Sequence, residues 1–235
     1  MEERGRLYLI PTPLGKDAMH TLPPYVLETI HHLQDFIVEK AKTARQLIKS
    51  TNPPYPIQSL HIEELNKRTP MEALPHLLQP LREGRDVGLM SEAGCPGVAD
   101  PGAAIVRLAH QEGITVKPLV GPSSILLALM ASGMNGQSFC FHGYLPPKKP
   151  DLIKKLKQLE QNARRLQQTQ LFIETPYRNR ALIEAALEGL HPNTRFCLAA
   201  NLTTAEELII NLSIGQWKKQ KAPNIHKVPT IFLIA

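Results

Sequence analysis

The chain has 235 residues, 43% of them hydrophobic and 20% charged, with a formal net charge of +6. That balance excludes a disordered chain, and the length allows one large domain or two small ones at about 100–200 residues each. The excess charge suits an anionic partner, since lysine and arginine release counterions from phosphates. It is concentrated in "PPKKPDLIKKLKQLEQNARRLQQ" and "WKKQKAPNIHK", which read first as a solvated helix face and a solubilising loop, with nucleic acid as the alternative.

In chain order, "RLYLIP" is a short apolar run stopped by proline, "YVLETIHHL" has helical spacing and "DFIVE" is again strand-like. "KTARQLIKS" and "EALPHLLQPLREG" predict helices, and "DVGLM" and "ITVKPLV" predict strands. "PGAAIVRLAHQEG" and "PSSILLALMASG" open on a helix-starting proline and close on glycine. Strands alternating with helices predict a mostly parallel sheet covered on both faces. The second half differs. "SFCFHGYL", "TQLFIET", "RFCLAANLT", "ELIINLSI" and "TIFLIA" are strand candidates, with strong helices only at "DLIKKLKQLEQNARRLQ" and "NRALIEAALEGL". Consecutive strands without an intervening helix predict antiparallel pairing and an α+β half. The expectation is therefore a two-domain α/β protein: a parallel-sheet domain over 1–135, then a mixed-sheet domain over 136–235.

Cys95, Cys140 and Cys197 are odd in number and far apart, which argues against a disulfide framework or a zinc site and for a reducing, cytoplasmic setting. "MEERGRLYLIPTP" lacks the apolar core of a signal peptide, and no run approaches the roughly 18–20 apolar residues of a membrane span. His31 and His32 have no further histidine at ligand spacing, so no metal is expected. Phe139, Phe141 and Phe172 read as core rather than as base-stacking platforms.

Proline, at 21 residues, exceeds its usual share of about 5% and mostly marks where apolar runs stop. Three loops stand out: "PTPLGK" after the first strand, "SEAGCPGVADPG" after "DVGLM" and "VGPSS" after "ITVKPLV". Ligands of parallel α/β sheets bind outside the carboxyl ends of strands, so these loops predict a shared cradle. Glycine lets main-chain groups approach a ligand, and proline holds loop shape. The usual nucleotide fingerprints, G-x-G-x-x-G opening a helix and G-x-x-x-x-G-K-[ST], are absent from the sequence. "GPSS" is no nucleophile elbow, and Ser123 and Ser124 read as caps of the following helix, which disfavours a hydrolase.

"LYLIPTPLG", "SEAGCPGVADPG", "LVGPSS", "FHGYLPPK" and "IETPYR", in this order, resemble the tetrapyrrole methylase family of S-adenosylmethionine-dependent methyltransferases. Within it they are most similar to the branch that methylates a ribose of small-subunit ribosomal RNA. The resemblance implies a two-domain enzyme, usually a homodimer, with S-adenosylmethionine in a cleft between its halves. It implies cofactor contacts from Pro11, Leu14 and Gly15, from Ser91, Glu92, Ala93, Gly94 and Val98, and from Ser123 and Ser124. From the second half it implies Glu174, Thr175, Tyr177, Leu202, Pro229 and Thr230.

The chain departs from that branch on the side where substrate would approach. An acidic-Asp-Thr-Arg string is replaced by "VEKAKTAR", which keeps Glu39 and puts Lys40, Ala41 and Lys42 in place of the rest; an Arg-Glu pair is replaced by Ala200 and Asn201. A ribose hydroxyl must lose a proton during methylation. Glu39, Lys40 and Lys42 are the candidate bases, the lysines only if buried. Methylation of a small molecule or tetrapyrrole, or cofactor binding without turnover, are the alternatives to an RNA substrate.

Overall fold

The computed structural model describes residues 4–66, 68–99 and 102–235. Pro101, expected to start a helix, lies outside them. The chain divides into two compact units, one up to Ser123 and one over Ser124–Ala235.

The first unit runs β1 (Leu7–Ile10), α1 (Pro24–His32), β2 (Asp35–Val38), α2 (Ala41–Ser50), β3 (His61–Glu64), α3 (Leu74–Leu77), α4 (Gln79–Arg82), β4 (Val87–Met90), α5 (Ala103–Gln111) and β5 (Val116–Pro118). All strand pairs are parallel, in the order β3-β2-β4-β1-β5. Alternate residues feed opposite faces, as the pleat requires. Leu7, Ile37, Val87 and Leu89 pack with Leu77, Leu81, Ile105 and Ala109, whereas Ile10, Phe36, Val38 and Met90 pack with Val26, Ile30 and Ile48. Gly88 is required in the middle strand, because a Cβ there would stand 2.7 Å from Ile10 Cδ1 and 2.9 Å from Phe36 Cδ1.

Two elements differ from the sequence pattern. β3, "HIEE", is an additional edge strand whose mostly exposed residues carry no apolar alternation. "EALPHLLQPLREG" is not one helix but a 3-10 turn and the short α3 and α4, since Pro75 and Pro80 each remove an amide donor and fit only first-turn positions.

The second unit runs α6 (Ser124–Ser132), β6 (Phe139–Tyr144), α7 (Lys149–Leu166), β7 (Thr169–Ile173), α8 (Asn179–Gly189), β8 (Arg195–Ala200), β9 (Leu208–Ser213), α9 (Ile214–Trp217) and β10 (Thr230–Ile234). Its mixed sheet has the order β6-β7-β10-β8-β9. β6 pairs parallel to β7 across the α7 crossover, and the remaining pairs are antiparallel. The units part before α6, earlier than the expected break at 135/136, because α6 packs on β8, β9 and β10 and the Asn211 amide donates to the Ser132 carbonyl.

One face of this sheet is an aromatic row. The Phe232 ring lies 6.1 Å from Phe172 and 5.9 Å from Phe196, nearly parallel to both, and Trp217 donates its indole N–H to the Phe196 carbonyl at 2.8 Å. Phe172 is core as expected, but Phe139, on the edge strand β6, is 40% exposed. Among the described residues no helix is long and apolar enough to cross a membrane.

Two outcomes follow from this packing. Phe232→Ala removes the middle ring of the row and is expected to cost about 3–5 kcal/mol, read as a lower denaturant midpoint at unchanged slope. Burial pushes the Cys197 thiol up to about 12, so it is neutral where a free thiol reacts. Iodoacetamide at pH 9 should leave Cys197 unlabelled by mass spectrometry until the protein is unfolded. Because the folded value lies above the ordinary thiol value of 9.0, this residue's contribution to stability is complete below that pH and is lost as pH rises towards 12.

Candidate active site

Parallel pairing puts the carboxyl ends of β2, β4, β1 and β5 in one row. The chain leaves β1 towards β2 and returns through β4 to β5 on the opposite side, which makes this row a switch point. The loops leaving it are joined through main chain. Thr12 N–H donates to the Gly94 carbonyl at 2.9 Å, and Gly94 N–H donates back to Thr12 at 3.0 Å. Gly94 has φ +78°, and a Cβ there would lie 3.3 Å from Leu14 Cδ2. The loop after β5 closes on the same place. A Cβ on Gly121 would come 2.2 Å from Pro11 Cγ, and the Cys95 thiol donates to the Pro122 carbonyl at 3.5 Å. Burial raises the pKa of Cys95, which makes it a neutral packing group rather than a nucleophile.

Beside this junction lies a cavity of about 500 Å³, lined by the loop from Thr12 to Met19, by Glu39, Lys40 and Thr43 after β2, and by Ser91, Glu92 and Ala93 after β4. That size lies within the range of roughly 300–1,000 Å³ typical of small-molecule sites. Of the residues singled out in the sequence, Leu14, Gly15, Glu39, Lys40, Ser91, Glu92 and Ala93 meet here. Pro11 and Gly94 hold the loops together without lining it. Val98, 49% exposed, and the exposed Lys42 lie outside the lining.

The charges at the rim are ordered by local hydrogen bonds. Glu92 accepts from the Thr43 hydroxyl at 3.2 Å and faces Lys40 Nζ at 3.7 Å. Glu92 N–H donates to Glu39 Oε2 at 3.3 Å. Among the described residues no cation pairs with the Glu39 carboxylate. The burial that a lysine base needs is missing, since the Lys40 side chain is 56% exposed. α2 is itself anchored by Glu64, which accepts the Ala41 N–H at 2.7 Å. Thr43 and Glu64 were not singled out in the sequence. Helical spacing from Lys40 could have placed Thr43 on the same turn, but nothing in "HIEE" announced Glu64.

In the second unit the carboxyl ends of β7 and β8 and the start of β10 share one sheet edge, with Ile231 opposite Ile173 and Thr230 opposite Ala200. Glu174 is buried; it accepts from Arg178 at 2.6 Å and from Thr175 N–H at 2.7 Å, so its carboxylate holds the following turn. Tyr177 is 69% exposed, its ring edge-on to His226 at 5.9 Å and under Lys227 Nζ at 5.6 Å. Asn201 N–H donates to Pro229 O at 3.1 Å, which brings the Leu202 loop beside Pro229 and Thr230. Thr230 takes a hydrogen bond from Asn179 at 3.3 Å. Thr203, at φ +70° with its hydroxyl buried and unpartnered among the described residues, is a strained β-branched residue at this edge. Ser123 and Ser124 stand where the first unit ends and α6 begins. Among the described residues no group of three or more His, Cys, Asp or Glu is placed to hold a metal.

Ribosomal RNA small subunit methyltransferase I of Escherichia coli O157:H7 is 30% identical over 220 residues, covering 92% of this chain and 73% of that protein. The protein of the same name from Leptospira biflexa serovar Patoc is 30% identical over 232 residues, covering 99% and 91%. The crystal structure of the methyltransferase CobJ superposes with a TM-score of 0.64 at 22% identity, covering 98% of this chain and 94% of that one; at that identity it speaks for the fold. A family profile described as "Tetrapyrrole (Corrin/Porphyrin) Methylases" matches residues 6–217. The chain therefore belongs to the tetrapyrrole methylase family of S-adenosylmethionine-dependent methyltransferases.

Proposed function

We propose that this protein transfers the methyl group of S-adenosylmethionine to a ribose 2′-hydroxyl of small-subunit ribosomal RNA, acting as a cytoplasmic homodimer. The observation that carries this reading is the Glu39 carboxylate at the rim of a cavity of about 500 Å³, with no cation paired to it among the described residues. The names of the relatives and the net charge of +6 support the RNA acceptor. Leu126 and Met130, 50% and 77% exposed one turn apart on α6, support a second copy as partner.

The residues present suit the cofactor: the cavity has the size of a small-molecule site, and its walls are mostly loop rather than helix. When bound, S-adenosylmethionine supplies an electrophilic methyl on a sulfonium. In this reading Leu14, Gly15, Ser91, Glu92 and Ala93 contact it from the cavity wall, Pro11 and Gly94 shape the loops behind that wall, Val98 stays outside, and Ser123, Ser124, Glu174, Thr175, Tyr177, Leu202, Pro229 and Thr230 supply the remaining contacts. Glu39 takes the hydroxyl proton as the acceptor oxygen reacts, and Glu92, held by Thr43 and Lys40, orients Glu39 through its own amide. Lys40 and Lys42 offset the phosphates flanking the ribose. Holding the reactants in line contributes on the order of several kcal/mol to the rate.

A small carboxylated acceptor is the second reading, favoured by the two lysines where RNA-methylating relatives are expected to carry Asp-Thr-Arg. Purified protein with labelled S-adenosylmethionine, offered small-subunit ribosomal RNA and a tetrapyrrole pool separately, should label the RNA. Label in the tetrapyrrole alone would replace the acceptor, and retention of cofactor without transfer would make the protein a binder. Glu39→Gln is expected to lower kcat by about 10²–10⁴-fold with cofactor affinity kept; activity within a few-fold of wild type would remove Glu39 as base. Gly94→Val forces a β-branched residue to φ +78° against Leu14 and should weaken cofactor binding in calorimetry by about tenfold or more, roughly 1.4 kcal/mol.

A further inference from the structure

α7 carries six lysines and arginines, and its contacts sort them into two groups. Lys149 Nζ pairs with Glu188 at 2.7 Å, Lys155 donates to Gln158 at 3.3 Å, and Arg164 donates to Thr194 at 3.0 Å and faces Glu160 at 3.6 Å. Lys154, Lys157 and Arg165 are exposed, and no acid or acceptor engages them among the described residues.

At about 3.6 residues per turn, Lys154, Lys157, Gln158, Gln161 and Arg165 share one face. It lies opposite the buried Leu152, Leu156, Leu159 and Ala163. The acid nearest this face, Asp151, sits in the first turn, where the helix dipole already favours it. Like charges three or four residues apart cost a helix about 0.2–0.5 kcal/mol per pair. Beyond that first turn the face carries cations and glutamines and no acid, whereas a face that had only to stay hydrated could alternate its signs.

We infer that this face of α7 grips the sugar–phosphate backbone of the RNA, an inference that rests on the RNA reading above. Lys154 and Arg165 stand about 16 Å apart along the axis at about 1.5 Å per residue, enough to meet several successive phosphates. Arg165 can bind a phosphate in bidentate fashion, and Gln158 and Gln161 can hydrogen-bond ribose hydroxyls. The face has no aromatic side chain to stack a base or enter a membrane, so the grip is on backbone charge and not on sequence.

The test is the affinity of the full chain for purified small-subunit ribosomal RNA across a potassium chloride series. Wild type is compared with the triple variant Lys154→Gln, Lys157→Gln, Arg165→Gln, with cofactor calorimetry and melting run on both. The slope of log affinity against log salt should shrink by about 2–3, at roughly 0.7–0.9 per phosphate contact. Affinity at low salt should fall at least about tenfold, while cofactor binding and melting stay as in wild type. A variant exchanging each lysine for arginine and Arg165→Lys should keep the slope. An unchanged slope in the triple variant would overturn the inference, as would a loss of binding to phosphatidylserine vesicles but not to RNA. If wild-type protein binds the RNA without methylating it and the triple variant loses that slope, the α7 surface stands and the ribosomal acceptor falls.

Discussion

The paired main-chain hydrogen bonds between Thr12 and Gly94 are the constraint from which the first unit's site is built. They tie the loop after β1 to the loop after β4, and neither can move without the other. Gly121 against Pro11 and Cys95 against Pro122 add the third loop to the same junction. Buried amides and carbonyls demand partners; here they find them in one another, so irregular chain at a sheet edge is held as firmly as a ladder. The cavity beside it is the space this junction leaves open.

Charge is handled with the same economy. Of the carboxylates lining the cavity, Glu92 faces a cation and accepts from a hydroxyl. Glu39 accepts the amide of Glu92 itself, which couples the position of one acid to the other. In the second unit the buried Glu174 is spent inwardly on Arg178 and Thr175: it shapes a turn and leaves Tyr177 as the projecting group. α7 repeats the division, with three cations satisfied by the protein's own acceptors and three left outward.

Much of this could be read along the chain. Short apolar runs marked β1, β2, β4 and β5, and the three motif loops fell at the carboxyl ends of β1, β4 and β5. The five strands of the second sheet were equally plain, since each is an apolar run without helical spacing. The elements that escaped are those whose local signal is weak or false. β3 is polar because an edge strand need not be buried, and the segment holding α3 and α4 keeps helical apolar spacing although its prolines break the ladder. α6 follows the third loop without a break in pattern, so its membership of the second unit depends on the sheet it covers.

The sequence by itself determined the family, the two sheets and which loops carry chemistry, because these rest on periodicity and on residue types with fixed backbone demands. Only the tertiary structure decided which residues meet: that Gly94 answers Thr12, that Lys40 faces Glu92, and that Lys155 and Arg164 are engaged where, among the described residues, Lys154 and Arg165 are not. Those pairings join positions distant in the chain or on adjacent helical turns, where backbone and side-chain torsions select the partner and residue order carries no record of it.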